Sequence, residues 1–209
     1  MHEDERAAAA SRPQAATERL EADMAEMESI QAAMDRFRCT AAVASDISIE
    51  EMKVPGSEIT AAMARLMPQL SEDRPPPTAE HLAAVIASPE VALFVARLTP
   101  SSRASISIPP AVPPTAPPIV GTISLVTFDV PSGRRAAIED LVVDSSARGQ
   151  GIGRRLLERA LDAARSKGAV KVQLTSRPSR VAANALYRRA GFSLRETNCY
   201  SLQFDSLAL

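Results

Sequence analysis

The sequence predicts a mixed α/β fold: a central, mostly antiparallel sheet with helices on both faces, in the order β-α-α-β-β-β-α-β-α-β-β. Three observations predict it. Two apolar strand patterns, 119–128 and 135–143, flank Pro131-Ser132-Gly133, which is hairpin turn chemistry. Stretches with apolar residues three and four apart lie before and after that hairpin. A glycine-bearing loop then leads from the second hairpin strand into a helix.

The elements follow in order. Residues 1–14 are Ala-rich and polar and are expected to be disordered. Residues 15–46 form a helical extension, in which Leu20, Met24, Met27, Ile30, Met34 and Phe37 make one apolar stripe. Ile47, Ile49 and Met52 alternate with polar residues as a strand that Pro55 and Gly56 end. Ser57 is placed to cap a helix to about 70, with Ile59, Met63, Leu66 and Met67 inward. Thr78 caps a second helix carrying Leu82, Val85 and Ile86, and 91–98 is an apolar strand.

Residues 99–118 hold seven of the chain's 16 prolines and read as a loop inserted between strands. After the hairpin comes a helix over 152–167 that buries Leu156, Leu157, Ala160, Leu161 and Ala164. A strand over 169–174 and a helix over 180–190 follow, then strands over 192–195 and 199–204. The main domain therefore covers 47–205, with a short tail at 206–209.

Composition narrows the function. The 209 residues suit one domain with a core plus some additional chain. A net charge of -1, 3% aromatic residues and no Trp argue against a nucleic-acid partner. Cys39 and Cys199 are too far apart for a metal-ligand motif, and with His2 and His81 they build no zinc site, so no metal is expected. No apolar run reaches the roughly 18 residues of a membrane span. A soluble cytoplasmic protein without a membrane partner is the expectation.

The chemistry concentrates in Arg148-Gly149-Gln150-Gly151-Ile152-Gly153-Arg154. Glycines here allow positive φ and close approach to the backbone. The following helix N-terminus adds bare N–H groups and a positive partial charge, so the loop suits a pyrophosphate. Arg148 and Arg154 stand at its rim. A P-loop is excluded because no Lys follows the last glycine, and a dinucleotide fingerprint because the loop follows a hairpin late in the chain.

Three segments in order carry a resemblance: Ile138-Glu139-Asp140-Leu141-Val142-Val143, the loop at 148–153, and Asn184-Ala185-Leu186-Tyr187-Arg188-Arg189-Ala190-Gly191-Phe192. Together they resemble the GNAT superfamily of acyl-CoA-dependent N-acyltransferases, whose pyrophosphate motif is Arg/Gln-x-x-Gly-x-Gly/Ala. The resemblance implies the acyl-CoA N-acyltransferase fold and acetyl-CoA as co-substrate. Its pantetheine would lie along the backbone of Leu141, Val142 and Val143. Its pyrophosphate would meet the amides of Gln150, Gly151, Ile152 and Gly153, with Gly149 giving room. A backbone N–H near Leu141 or Val142 would polarise the thioester carbonyl. Tyr187 would be the general acid for the leaving sulfur, and Glu139 the base.

Strand alternation turns Asp140 away from the face of Glu139 unless a bulge intervenes. Many members carry Asn seven residues before the Tyr. Here that position is Arg180, and Asn184 stands as a partial replacement. Arg177 and Arg180 are candidates for the CoA phosphates or an acidic acceptor. The implied activity is acetyl transfer to a primary amine by direct attack, with a small-molecule acceptor. The alternatives are a protein N-terminus or lysine as acceptor, and a non-catalytic CoA-binding module. Family habit and the additional helix admit a homodimer.

Overall fold

The computed structural model describes residues 19, 21–22, 24–25, 28–29, 31–32, 35, 37, 47–71, 75–98, 117–202 and 204. The expectations for 1–14, for most of the Pro-rich 99–118 loop, for Cys39 and for the 206–209 tail lie outside these residues. The chain divides into two units. One is Arg38–Val181; the other combines 1–37 with 182–209.

The larger unit holds a five-stranded sheet in the order β1-β2-β3-β4-β5. Its strands are β1 (Ile47–Glu51), β2 (Val91–Leu98), β3 (Ile119–Val130), β4 (Gly133–Val143) and β5 (Lys171–Leu174). The first four pair antiparallel, and β5 joins β4 in parallel. Parallel pairing needs a crossover, which α3 (Ile152–Ser166) supplies. Helices α1 (Ser57–Leu70) and α2 (Ala79–Ala87) connect β1 to β2.

Each sheet face buries alternate residues. On one side Leu93, Val95, Ile119 and Val142 pack with Ile59, Met63, Leu66 and Met67 of α1 and Leu82 of α2. On the other, α3 turns Leu156, Leu157, Ala160 and Ala164 inward, all fully buried. The guanidinium of Arg159 stacks 4.8 Å over the Phe94 ring. At Gly121 α3 lies close against the sheet: a Cβ there would stand 3.0 Å from the Val142 carbonyl oxygen and 3.1 Å from Leu156 Cδ1.

Thr78 caps α2 as expected, accepting the His81 amide at 3.1 Å. The α1 cap differs: Gly56 is the N-cap, and Ser57 is already helical. Polar ties fasten the rim. Arg97, on β2, pairs with Glu50 of β1 and Glu58 of α1 and donates to the Pro117 carbonyl at 2.8 Å. Burial alone would lower its pKa; the hydrogen bonds to Glu58 and Glu50 outweigh that and raise it.

The smaller unit is helical at the described positions between 19 and 37, where Phe37 is buried. It also contains nearly all of α4 (Val181–Arg189), followed by Gly191 at φ 92°. One expectation fails here. The strands foreseen at 192–195 and 199–204 do not form among the described residues, which are irregular from 192 to 202 and at 204. Alternation makes a strand only where a ladder partner and an apolar surface receive it, and Leu194, Tyr200, Leu202 and Phe204 are all exposed.

Candidate functional site

The site begins where β4 and β5 part. Their ladder runs from Arg135↔Lys171 to Ile138↔Leu174 and stops, while β4 continues to Val143. Beyond Ile138 the edge of β4 that faced β5 pairs with no strand among the described residues. This stretch, the backbone of 139–143, forms one side of a wedge where the two strands stop pairing. Such an edge accepts an extended chain by main-chain hydrogen bonding.

A bulge shapes the same stretch. Ser124 opposes Glu139 and Thr122 opposes Val142, so Asp140 and Leu141 together face Ile123. Asp140 takes φ 51°, which L-residues other than Asn and Asp rarely adopt. The added residue brings Glu139 and Val142 onto one sheet face, the one that α1 and α2 cover. Simple alternation from Glu139 to Asp140 is thus replaced by a local kink. Glu139 is exposed, Asp140 and Leu141 are half-buried, and Val142 is buried.

Asp144 ends β4 and starts the loop. Its amide donates to the Val120 carbonyl at 2.8 Å. Its carboxylate accepts the Ser146 amide at 3.0 Å and the Ser146 hydroxyl at 2.6 Å, capping a 3-10 turn over Ser145–Ala147. Arg65 of α1 pairs with the same carboxylate and donates to the Ile119 carbonyl at 2.6 Å. Burial lowers the pKa of Arg65.

The glycine loop follows. Gly149 and Gly151 take φ 79° and 75°, and Gly151 is the N-cap of α3. A Cβ at Gly149 would meet nothing within 4 Å, so the space above the loop is open. Ile152 is buried and anchors the first turn of α3. Residues 149–153 therefore approach the helix N-terminus as an anion cradle requires. The two arginines are less free than the sequence suggests. Arg148 Nε donates to the Val143 carbonyl at 3.1 Å, and Arg154 pairs with Glu158 at 2.9 Å.

Two hydroxyls in this region are buried without a hydrogen-bond partner among the described residues: Thr122 Oγ1, opposite Val142, and Ser176 Oγ, just beyond β5. Buried hydroxyls are normally satisfied.

Arg177 is exposed. Arg180 donates from Nη2 to the Leu70 carbonyl, the C-terminal residue of α1, at 2.6 Å. Tyr187 and Asn184 belong to the smaller unit, where both are half-buried on α4. The Tyr187 ring meets Phe192 edge-on at 6.1 Å, and the Phe192 amide returns to the Tyr187 carbonyl at 3.0 Å. The larger unit thus holds residues 139–143, 148–154, Arg177 and Arg180, while Asn184 and Tyr187 share one turn of another helix.

Arg65, Gln69, Gly121 and Asp144 were missing from the sequence-derived site. Arg65 lies 79 residues from Asp144 in the chain, and Gln69 lies 76 from Ser145. The local pattern carries no signal for such pairs. Among the described residues no group of three or more His, Cys, Asp or Glu stands ready for a metal, and no helix is long and apolar enough to cross a membrane.

Comparison with known proteins bears on the same stretch of chain. The model of the "Acetyltransferase (GNAT) family" matches residues 114–192. This chain resembles that family over those residues. It is 41% identical over 64 residues to a mycothiol acetyltransferase of Beutenbergia cavernae, covering 31% of this chain and 22% of that protein. It is 38% identical over 60 residues to glucosamine 6-phosphate N-acetyltransferase 1 of Oryza sativa subsp. japonica, covering 29% and 34%. The chain thus spans about a fifth to a third of the curated relatives it matches.

Solved structures share the fold. An aminoglycoside acetyltransferase from an uncultured soil metagenomic sample matches with a TM-score of 0.59 at 21% identity, over 77% of this chain and 97% of that one. Glucosamine-6-phosphate N-acetyltransferase from Arabidopsis thaliana matches with a TM-score of 0.57 at 22% identity, over 76% and 99%.

Proposed function

We propose that this chain is an N-acetyltransferase that moves the acetyl group of acetyl-CoA to a primary amine on a small molecule. One observation carries the reading: the parted β4–β5 edge opens beside a glycine loop that ends on a helix N-terminus. That pairing matches a long ligand with an extended amide-bearing arm and an anionic pyrophosphate. Acetyl-CoA has both, and its thioester supplies an activated acetyl group.

The backbone of Leu141, Val142 and Val143 would pair with the arm as an added strand does. The amides of residues 150–153 would bind the pyrophosphate, with Arg148 and Arg154 at the rim and Asn184 assisting. The bulge takes the Asp140–Leu141 segment out of the regular ladder, which suits a main-chain donor to the acyl carbonyl. Glu139, exposed on β4, would take the proton of the incoming amine. Tyr187 would give a proton to the departing sulfur. A phenol with a pKa of about 10 is protonated at neutral pH, as this role needs. The names of the similar proteins, a mycothiol acetyltransferase, a glucosamine 6-phosphate N-acetyltransferase and an aminoglycoside acetyltransferase, favour a small acceptor over a protein.

The test is thermal unfolding with and without acetyl-CoA. Saturation at 100 times the dissociation constant adds about 2.7 kcal/mol, which for a domain of this size is a rise of about 5–10 °C. The rise is expected in the native chain and absent in Gly151→Glu. A panel of amino sugars and aminoglycosides, with thiol release as readout, then identifies the acceptor. A folded protein that shows no rise at saturating acetyl-CoA would overturn the reading. Turnover of peptides in place of small amines would reassign the acceptor.

A further inference from the structure

The last turn of α1 is fastened on both sides of the wedge. From the loop beyond β4, the Ser145 amide donates to Gln69 Oε1 at 2.8 Å, and Arg148 Nη2 lies 3.5 Å from the same oxygen. From the loop beyond β5, Arg180 Nη2 donates to the Leu70 carbonyl at 2.6 Å. Neighbouring residues of one helical turn therefore grip the two loops into which the parted strands run.

The chemistry of each grip is specific. Leu70 ends α1, so its carbonyl has no partner further along the helix and sits at the negative end of the helix dipole. A guanidinium is the matching donor. Pro68 lies in the same turn. It has no N–H, so the Ala64 carbonyl loses its intrahelical bond and the turn leans on outside contacts.

We propose that Arg180 is a positioning residue: it couples occupancy of the wedge to the placement of the end of α1. An arm inserted between β4 and β5 sets the spacing of the two loops. Gln69 follows one loop and Arg180 the other, so the end of α1 is ordered by the same event. This inference rests on the wedge being the acetyl-CoA site. It assigns Arg180 to the protein's own helix rather than to the CoA phosphates.

Hydrogen–deuterium exchange over residues 66–71, with and without acetyl-CoA, tests it. Acetyl-CoA is expected to slow exchange there about 10-fold in the native chain. Arg180→Ala and Gln69→Ala are each expected to lose that slowing, and Arg180→Lys, which keeps a cationic donor, to retain part of it. Calorimetry with acetyl-CoA should give dissociation constants for Arg180→Ala within about 3-fold of the native chain, well below the 10-fold step of one strong contact. Full slowing in Arg180→Ala would overturn the proposal. So would a loss of acetyl-CoA affinity of about 10-fold or more in Arg180→Ala, which would make the guanidinium a direct phosphate ligand. A native chain that binds no acetyl-CoA overturns the functional reading, and the coupling with it. That failure is recognised by its appearing before any substitution is made.

Discussion

Arg65 of α1 and Asp144 at the end of β4 form an ion pair across 79 residues of sequence, and the second arm of the guanidinium holds the Ile119 carbonyl at 2.6 Å. One side chain thus joins a helix, the end of the strand that borders the wedge and the start of β3. The Asp144 side chain is 8% exposed and that of Arg65 29%. Removing the cation leaves a buried carboxylate with only its Ser146 donors. Arg65→Ala should cost about 2–3 kcal/mol by urea unfolding, less than a fully buried pair because water reaches Arg65. A cost below about 1 kcal/mol would mean that the pair behaves as a surface bridge.

Two glycines should fail for different reasons. Gly121 lacks space: an added methyl meets the Val142 carbonyl at 3.0 Å. Gly121→Ala is expected to destabilise by about 1–3 kcal/mol by forcing β3 from β4 or α3 from the sheet. Gly149 has space but needs φ 79°. Gly149→Ala should cost about 1–2 kcal/mol, and Gly149→Asn less, because Asn tolerates that conformation. Equal losses for Ala and Asn at 149 would contradict the conformational account.

The chemical roles predict a division between rate and binding. Tyr187→Phe removes one oxygen from a half-buried ring that keeps its Phe192 contact. With the acceptor found by the amine panel, kcat should fall about 100-fold with little change in the acetyl-CoA dissociation constant. Glu139→Gln should act the same way. If either variant instead weakens acetyl-CoA binding and spares kcat, its assigned proton transfer is wrong.

Acid stability should depend on Glu90. Its carboxylate accepts the Thr127 hydroxyl at 2.8 Å and pairs with Arg134 at 2.8 Å. The Thr127 hydrogen bond, then the charges of Arg134 and Lys167, outweigh desolvation and hold its pKa below the ordinary 4.5. A carboxyl lowered by folding stabilises fully above its unfolded value and loses that contribution as pH falls through the folded value. The native chain should therefore lose stability more steeply than Glu90→Gln as pH drops below 4.5, and the two should run parallel near neutrality. Parallel curves throughout would remove Glu90 from the acid transition.

Sequence legibility followed the range of the interactions. Strand and helix periodicities predicted β1 to β5 and α1 to α4, because each is set by residues close in the chain. The loop at 148–153 was legible for the same reason: its glycines and the helix start are contiguous. The bulge was not, since Asp140 carries no glycine to announce a positive φ. Nor were Arg65 and Gln69, or the Leu70 partner of Arg180, since these contacts arrive only when the sheet forms. Closing strands were foreseen at 192–195 and 199–204, yet no ladder receives them among the described residues.

The sheet's spatial order repeats its order in the chain, β1 to β5 without a crossover between distant strands. During synthesis each strand can therefore dock on one already present, and no later segment has to be threaded between earlier ones. A nascent chain released at Val143 already contains all partners of the first three ladders. The wedge needs β5, and so is born last. Termination between Val143 and Lys171 would thus yield a chain with the first three ladders and no wedge.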